Sequence, residues 1–303
     1  MSESPVTAPV CYRHPSKETN VRCTRCDRPI CPDCMNEASV GHQCPECVSE
    51  GRRTQRSART AFGGTLAGRA GVATRALIGI NVAVMIISIA IGGMGAVAGG
   101  GWGGLLGGST AVTDWLSVLG YATYSPDDPV AHGIAAGEWY RLVTAMFVHF
   151  GVLHLLTNMY ALWILGRELE GVLGRLRFVA LYLLAGLGGN VAAYLLSSPR
   201  ASVAGASTAV FGLMAATFVI LKRLNLSVAP ILPVIVINVI FTFAVAQISW
   251  AGHIGGLVVG GIVAAILAYA PRQHRNAFQA VGCAAVLVVL LTLAAIRSLA
   301  LLG

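Results

Sequence analysis

Residues 201–221 read ASVAGASTAVFGLMAATFVIL, and the next two positions are Lys222 and Arg223. Only 16 of these residues, 206–221, form the apolar run. A helix crossing a bilayer takes about 20 mostly apolar residues. A run this short, opening on Gly205-Ala206-Ser207-Thr208 and closing on a basic pair, fits a helix that starts below the membrane surface. Polar groups inside hydrocarbon are costly and default to functional candidates. Ser207 is therefore the first residue to explain.

The rest of the chain agrees with a membrane setting. Of 303 residues, 55% are hydrophobic and 11% charged, and the mean hydropathy is +0.71. Soluble domains carry about 25% charged residues. The 36 glycines suit closely packed membrane helices. Apolar runs predict helices at 76–97, 142–165, 178–196, 206–221, 228–245, 252–269 and 277–300. The start, MSESPVTAPV, has neither a basic nor an apolar signal region, so no signal peptide is expected.

Lys and Arg in short loops orient such a bundle. Six arginines and no acid fall between Arg52 and Arg75. Arg167, Arg175 and Arg177 follow the second span, Lys222 and Arg223 the fourth, and Arg272 and Arg275 the sixth. The opposite loops are poor in positive charge, and the longest holds Asp114, Asp127, Asp128 and Glu138. One topology satisfies all clusters: N-terminus cytoplasmic, seven spans, C-terminus outside. It also accounts for most of the net charge of +8 without nucleic acid.

In that topology the second, fourth and sixth spans run inward. Ser207 and His253 open the fourth and sixth spans at similar depth. His154 and Asn158, four residues apart, share a face of the second span; His149 precedes them. A serine hydroxyl needs a base to become a nucleophile, and His253 can serve near neutral pH. Asn158, His154 and the Ser207 backbone N–H could then stabilise an oxyanion. Gly256 and Gly260 follow His253 at helical spacing and offer a smooth face for close approach to the fourth helix. His132 and His274 fall in loops and are read as surface residues.

These residues carry a resemblance. From Trp139 to the end of the sixth span, the chain resembles a rhomboid intramembrane serine protease. Glu138-Trp139-Tyr140-Arg141 resembles the family's tryptophan–arginine motif. His149, then His154 to Asn158, is similar to its H-x-x-x-N element. Gly205-Ala206-Ser207-Thr208 is similar to G-x-S-G at three of four positions, and His253-Ile254-Gly255-Gly256 to the end of A-H-x-x-G. The resemblance implies a Ser207–His253 dyad without an acid, a wet cavity open to the outside, and transmembrane helices as substrates. It implies a first outer loop partly in the outer leaflet, where Gly99-Gly100-Gly101-Trp102, Trp115 and Trp139 fall. It makes the fifth helix and residues 243–250 a gate and cap. Three positions depart from the pattern. Thr208 stands for glycine, where a β-branched side chain can crowd the oxyanion site; Gly252 stands for alanine; Phe211 stands where the family often has tyrosine, and keeps a ring to stack on His253.

The N-terminal segment is different material. Seven of eight cysteines lie between Cys11 and Cys47. They fall into C-x-x-C or C-x-x-H pairs: Cys11 with His14, Cys23 with Cys26, Cys31 with Cys34, and Cys44 with Cys47. Two ligands from one tight turn suit a tetrahedral zinc, so eight ligands suit two Zn2+ ions. A disulfide knot fits a reducing cytosol poorly. The pattern resembles a B-box-type zinc finger. That resemblance implies cross-bracing, with Cys11, His14, Cys31 and Cys34 on one ion and Cys23, Cys26, Cys44 and Cys47 on the other. His42 is a spare ligand that could replace Cys44. Cys283, alone in a late apolar segment, reads as a packed small hydrophobe.

The expected architecture is an all-α polytopic membrane protein. A zinc-binding domain occupies 1–50, a basic cytoplasmic linker 51–75, a six-helix rhomboid core 76–270 and a seventh transmembrane helix 271–303. Its expected partners are transmembrane protein substrates, membrane lipid and a cytosolic protein for the zinc module, without nucleic acid or a catalytic cofactor. An inactive rhomboid-like protein binding transmembrane clients is the alternative, although such relatives characteristically lose the Ser or His. A channel or transporter would call for paired charges or broken helices near mid-membrane, which the sequence does not display.

Overall fold

The structure is a computed structural model that describes residues 8–54, 59–65, 71–98, 107–123, 130–245 and 247–303. The expected outer-loop residues 99–102, Asp127 and Asp128 lie outside the described residues. The chain divides into two compact units, Met1–Ala58 and Arg59–Gly303.

The first unit holds a 3-10 turn at Pro32–Cys34, an antiparallel pair β1 (Asn36–Glu37) and β2 (His42–Gln43), and α1 (Pro45–Thr54). Its buried apolar cluster is six cysteines plus Ile30. A core made of thiols supplies little hydrophobic free energy. Small domains of this kind are ordinarily held by metal.

The second unit is helical. It contains α2 (Val72–Gly92), α3 (Ala111–Leu116), α4 (Arg141–Thr144), α5 (Val152–Leu173), α6 (Arg175–Leu196), α7 (Ser207–Arg223), α8 (Leu232–Ala244), α9 (Trp250–Tyr269) and α10 (Arg275–Leu302). By length and composition four helical segments can cross a membrane: Val72–Ala96, Arg175–Leu196, Trp250–Tyr269 and Arg275–Leu302. The bent pair Arg141–Phe147 and Val152–Leu173 makes a fifth. The remaining two expected spans are present as the shorter α7 and α8, of 17 and 13 residues.

The second expected helix differs from its sequence reading. Instead of one helix over 142–165, the chain makes α4, a 3-10 turn at Ala145–Phe147, a bend of 90° and then α5. Val148 is extended and Gly151 takes φ +90°. His149 therefore sits in the break, not on the helix. Nor do α5 and α6 leave a basic loop between them: Gly174, at φ +81°, is the whole connection. Arg167 lies in α5, and Arg175 and Arg177 in the first turn of α6. The extra length of α5 has a use. Buried Glu170 accepts hydrogen bonds from the N–H groups of Ala73 and Thr74 and from the Thr74 hydroxyl, at 2.9–3.0 Å. An anion there complements the positive end of α2.

At the centre, α7 packs against α5, α6 and α9. The α7–α9 approach depends on the glycines read from the sequence. A Cβ on Gly256 would lie 2.0 Å from the Thr208 carbonyl oxygen, and one on Gly260 2.3 Å from Gly212 Cα. By contrast α8 is largely uncovered, and Thr242 is its one buried residue. On another flank α10 packs against α6 and α9, with Tyr194 and Ser298 hydroxyls 2.8 Å apart. Residues 59–65, expected in a linker, are packed on this unit: Phe62 is buried in the main core.

Candidate active site and metal clusters

Ser207 is the first residue of α7, and His253 lies in the first turn of α9. The glycine seam brings these helix starts together, leaving His253 Nε2 2.9 Å from Ser207 Oγ. The Phe211 ring, one turn along α7, stacks on the imidazole with centroids 4.0 Å apart. That stack fixes the ring plane, as the sequence suggested.

The other imidazole nitrogen meets a residue that sequence reasoning missed. Thr242 Oγ1 lies 2.7 Å from His253 Nδ1 and donates its proton to the Asn238 carbonyl at 2.8 Å. A hydroxyl has one proton and two lone pairs. With the proton committed to Asn238, Thr242 must accept from Nδ1–H. His253 Nε2 then carries a lone pair directed at the Ser207 hydroxyl, which is the tautomer a general base requires. The available signal was a hydroxyl in an apolar helix, but such threonines usually just bond back to the preceding turn.

Ser207 and His253 face a cavity of about 430 Å3. Its walls come from α5, α7, α8 and the segment before α9, with His154, Asn158, Met214, Phe241 and Gln247 among its lining. No described lining residue is a carboxylate. Asn158 donates to the His154 carbonyl at 2.9 Å, which leaves its second amide hydrogen for other use. His154 reaches the Gly205 turn: a Cβ on Gly205, which takes φ +128°, would lie 2.8 Å from its ring. Only glycine fits there on both counts. His149 serves this turn instead of the cavity, since its Nε2 accepts the Ala206 N–H at 3.3 Å.

The Thr208 side chain is buried beside glycines of α6 and α9. A Cβ on Gly189 would lie 2.6 Å from Thr208 Cβ, and one on Gly252 3.2 Å from Thr208 Cγ2. The Thr208 side chain thus occupies space that glycines on α6 and α9 leave open. Two departures from the expected motif, Thr208 and Gly252, fit each other.

Ahead of α5, Arg141 is 1% exposed and holds the outer loop. It donates to Glu138 at 2.6 Å and to the Asp114 and Ser117 carbonyls at 2.6 and 3.1 Å. Glu138 also accepts from the Gly133 N–H and lies 3.1 Å from His132 Nδ1. His132 is therefore a half-buried part of this network, not the surface residue expected. Burial alone would raise the Glu138 pKa; hydrogen bonds from His132, Arg141 and Gly133 outweigh it and hold the carboxyl below its usual range.

In the N-terminal unit, two quartets gather: Cys11, His14, Cys31 and Cys34, and Cys23, Cys26, Cys44 and Cys47. Within each, the donor atoms all lie within 4.8 Å of one another. Every cysteine is a free thiol. The closest recorded sulfur pair, Cys26 and Cys44, is 3.7 Å apart, far beyond the about 2.05 Å of a disulfide. The Cys44 and Cys47 N–H groups point at Cys23 and Cys44 sulfurs, at 3.3 and 3.4 Å. Such donors suit thiolate ligands. His42, on β2, belongs to neither quartet.

Comparison with known proteins agrees with this geometry. A family model described as the Rhomboid domain matches residues 136–271, which hold α4 through α9. The chain is similar to the rhomboid protease GluP of Bacillus subtilis (strain 168), 42% identical over 139 residues covering 44% of this chain and 27% of GluP. It is similar to YdcA of the same organism, provisionally named a rhomboid protease, at 32% identity over 148 residues, 47% of this chain and 74% of YdcA. It is also similar to the mitochondrial RHOMBOID-like protein 6 of Arabidopsis thaliana, 33% identical over 156 residues, 48% of this chain and 49% of that protein. The chain thus spans about a quarter of GluP, half of the Arabidopsis relative and three quarters of YdcA.

Proposed function

Because this chain belongs to the rhomboid family, we propose that it is an intramembrane serine endopeptidase that cuts transmembrane segments of other membrane proteins. The observation that carries the reading is the 2.9 Å approach of His253 Nε2 to Ser207 Oγ, in a cavity large enough for an extended peptide stretch. In the proposed reaction Ser207 Oγ attacks the scissile carbonyl carbon while its proton passes to His253 Nε2. The oxyanion is met by His154, Asn158 and the Ser207 N–H at the positive end of α7. Collapse breaks the C–N bond, and His253 returns the proton to the leaving amine. Water, activated by the same nitrogen, then releases the acyl group from Ser207.

Thr242 would hold the imidazole in its working tautomer throughout and stabilise the imidazolium by accepting from Nδ1–H. This is a positioning role, filled without a carboxylate. Placement of the basic clusters supports a cytoplasmic N-terminus in the cell membrane. Ser207 and His253 would then lie in the outer leaflet, and cleavage would release the outer part of the substrate outward.

For the N-terminal unit we infer two structural Zn2+ ions, one per quartet. Soft sulfur donors with one imidazole, closely grouped and fed by backbone N–H groups, fit zinc. The ions would supply the folding free energy that a thiol core lacks. A cytosolic protein partner is the proposed use of this module.

Cleavage of a reporter transmembrane protein co-expressed with wild type, Ser207→Ala and His253→Ala tests the dyad. Wild type should cut, and both variants should leave the reporter intact. Equal cleavage by all three would refute it. A serine-directed covalent probe should label wild type and not Ser207→Ala.

A further inference from the structure

A second cavity, of about 410 Å3, lies between the first turns of α6 and α10 and the segment 59–65. It belongs to the far end of the bundle, since α10 begins where α9 ends. From His253 that is close to the length of α9, about 30 Å for 20 residues. Its lining sets apolar Ala180, Leu267, Ala280 and Cys283 beside Arg59, Arg175 and Arg177. Arg275 joins them over Gly63, where a Cβ would lie 3.0 Å from Arg275 Cδ and 3.4 Å from an Arg177 terminal nitrogen.

These charges are held in place but not neutralised. Arg177 donates to Gln279 at 2.7 Å and Asn276 at 2.8 Å, and Arg275 donates to the Ala61 carbonyl at 3.1 Å. All three acceptors are neutral. Among the described residues Arg59, Arg177 and Arg275 make no ion pair. Arg175 has only a 3.8 Å approach to Glu170, whose carboxylate already caps α2. The helix ends add to the imbalance. α6 and α10, of 22 and 28 residues, both begin here without a side-chain cap. Helix N-termini favour anions and disfavour cations, so three arginines in the first turns of α6 and α10, with Arg59 beside them, are unfavourable unless an anion joins them. Membrane topology asks only that positive charge lie on one side. It does not ask that guanidiniums be steered by neutral acceptors onto one cavity.

We propose that this cavity binds an anionic phospholipid, its phosphate on Arg59, Arg177, Arg275 and the two helix N-termini, and an acyl chain along Leu267, Ala180 and Ala280. Free phosphate satisfies only the arginines. A lipid satisfies arginines and apolar lining together, and the surrounding bilayer supplies it. Basic pockets between membrane helices recognise head groups in this way.

Native mass spectrometry of the delipidated full-length chain, titrated with phosphatidylglycerol or phosphatidylcholine, tests the proposal. Wild type should retain phosphatidylglycerol at least about tenfold more tightly, the equivalent of one bidentate arginine–phosphate contact. The double variant Arg177→Gln/Arg275→Gln should lose the preference, and Arg200→Gln, exposed in the loop before α7, should keep it. Should the double variant fail to fold, Arg59→Gln, with its side chain exposed, should still lower the preference several-fold. Phosphatidylglycerol should also raise the melting temperature of wild type where inorganic phosphate at equal concentration does not. Equal retention of both lipids, an undiminished preference in the arginine variants, or an equal thermal shift from phosphate alone would each overturn the proposal.

Discussion

Thr242→Val keeps the size and branching of the side chain and removes only the hydroxyl. In the wild type that oxygen is 2.7 Å from His253 Nδ1 and 2% of the residue is exposed. Thr242 is not among the cavity's lining residues, and no described lining residue is a carboxylate. In the proposed reaction His253 becomes an imidazolium as Ser207 attacks, so the lost bond would be one to a charged donor in the transition state. Such bonds contribute about 1.5–3 kcal/mol, which corresponds to about 10- to 160-fold in kcat. KM should stay within about twofold, since Thr242 does not line the cavity and its loss removes no contact with bound substrate. The assay is cleavage of a reporter transmembrane substrate in proteoliposomes, with kcat and KM measured separately. Thr242→Ser keeps the hydroxyl and should recover most of the rate. Wild-type kcat in the valine variant, or a serine variant as slow as the valine one, would refute the assignment.

Other consequences are as direct. Gly256→Ala sets a methyl 2.0 Å from the Thr208 carbonyl oxygen and should unfold the protein or destabilise it by about 3 kcal/mol or more, seen as a sharply lowered melting temperature; a variant as stable as wild type would contradict the α7–α9 packing. Gly252→Ala should cost about 1 kcal/mol, and Thr208→Gly should relieve part of it, Ser249 Oγ being equally near, so thermal melts of the four-member cycle should reveal coupling where additivity would deny it. Mass spectrometry of the intact chain should find two zinc ions in wild type and in His42→Ala but one in Cys44→Ser; equal zinc in all three would break the ligand assignment. Glu138 has a folded pKa below its unfolded one, so its stabilisation is complete above the unfolded value and is lost as pH falls through the folded value. Trp139 fluorescence should therefore change as pH falls below the ordinary carboxylate range in wild type and lack that limb in Glu138→Gln; identical titrations would rule this out.

What could be read from sequence follows from the range of each interaction. The Cys and His pairs were legible because each pair sits in one turn, and their grouping into quartets followed the zinc-finger resemblance. Ser207 and His253 were legible because helix polarity alone puts their helix starts at one depth. The break at His149 was not: Val148 and Phe150 keep the run apolar, and only Gly151 hints that the backbone turns. The true length of α5 was hidden because Glu170 looks like a solvent-facing charge until its partner, the start of α2, is placed beside it. Thr242 escaped for the same reason. Its significance lies in a hydrogen bond to a neighbouring helix, and hydropathy does not encode which face of α8 turns inward.

If Ser207 cuts as proposed, the burial of α7 has a consequence for where a substrate is cut. Thr208 through Ala216 are all buried, so the helix bearing Ser207 is solvated by protein instead of lipid. Bilayer thickness acts on helices that touch acyl chains: a substrate segment, α8 and α10, whose outward faces are apolar and exposed. A thicker membrane then shifts the substrate's depth while Ser207 stays where its neighbours hold it. With about 1.5 Å of rise per residue, a change of about 3 Å would move the scissile bond by about two residues. Lipid composition would thus select the cleavage position without altering any residue of the enzyme.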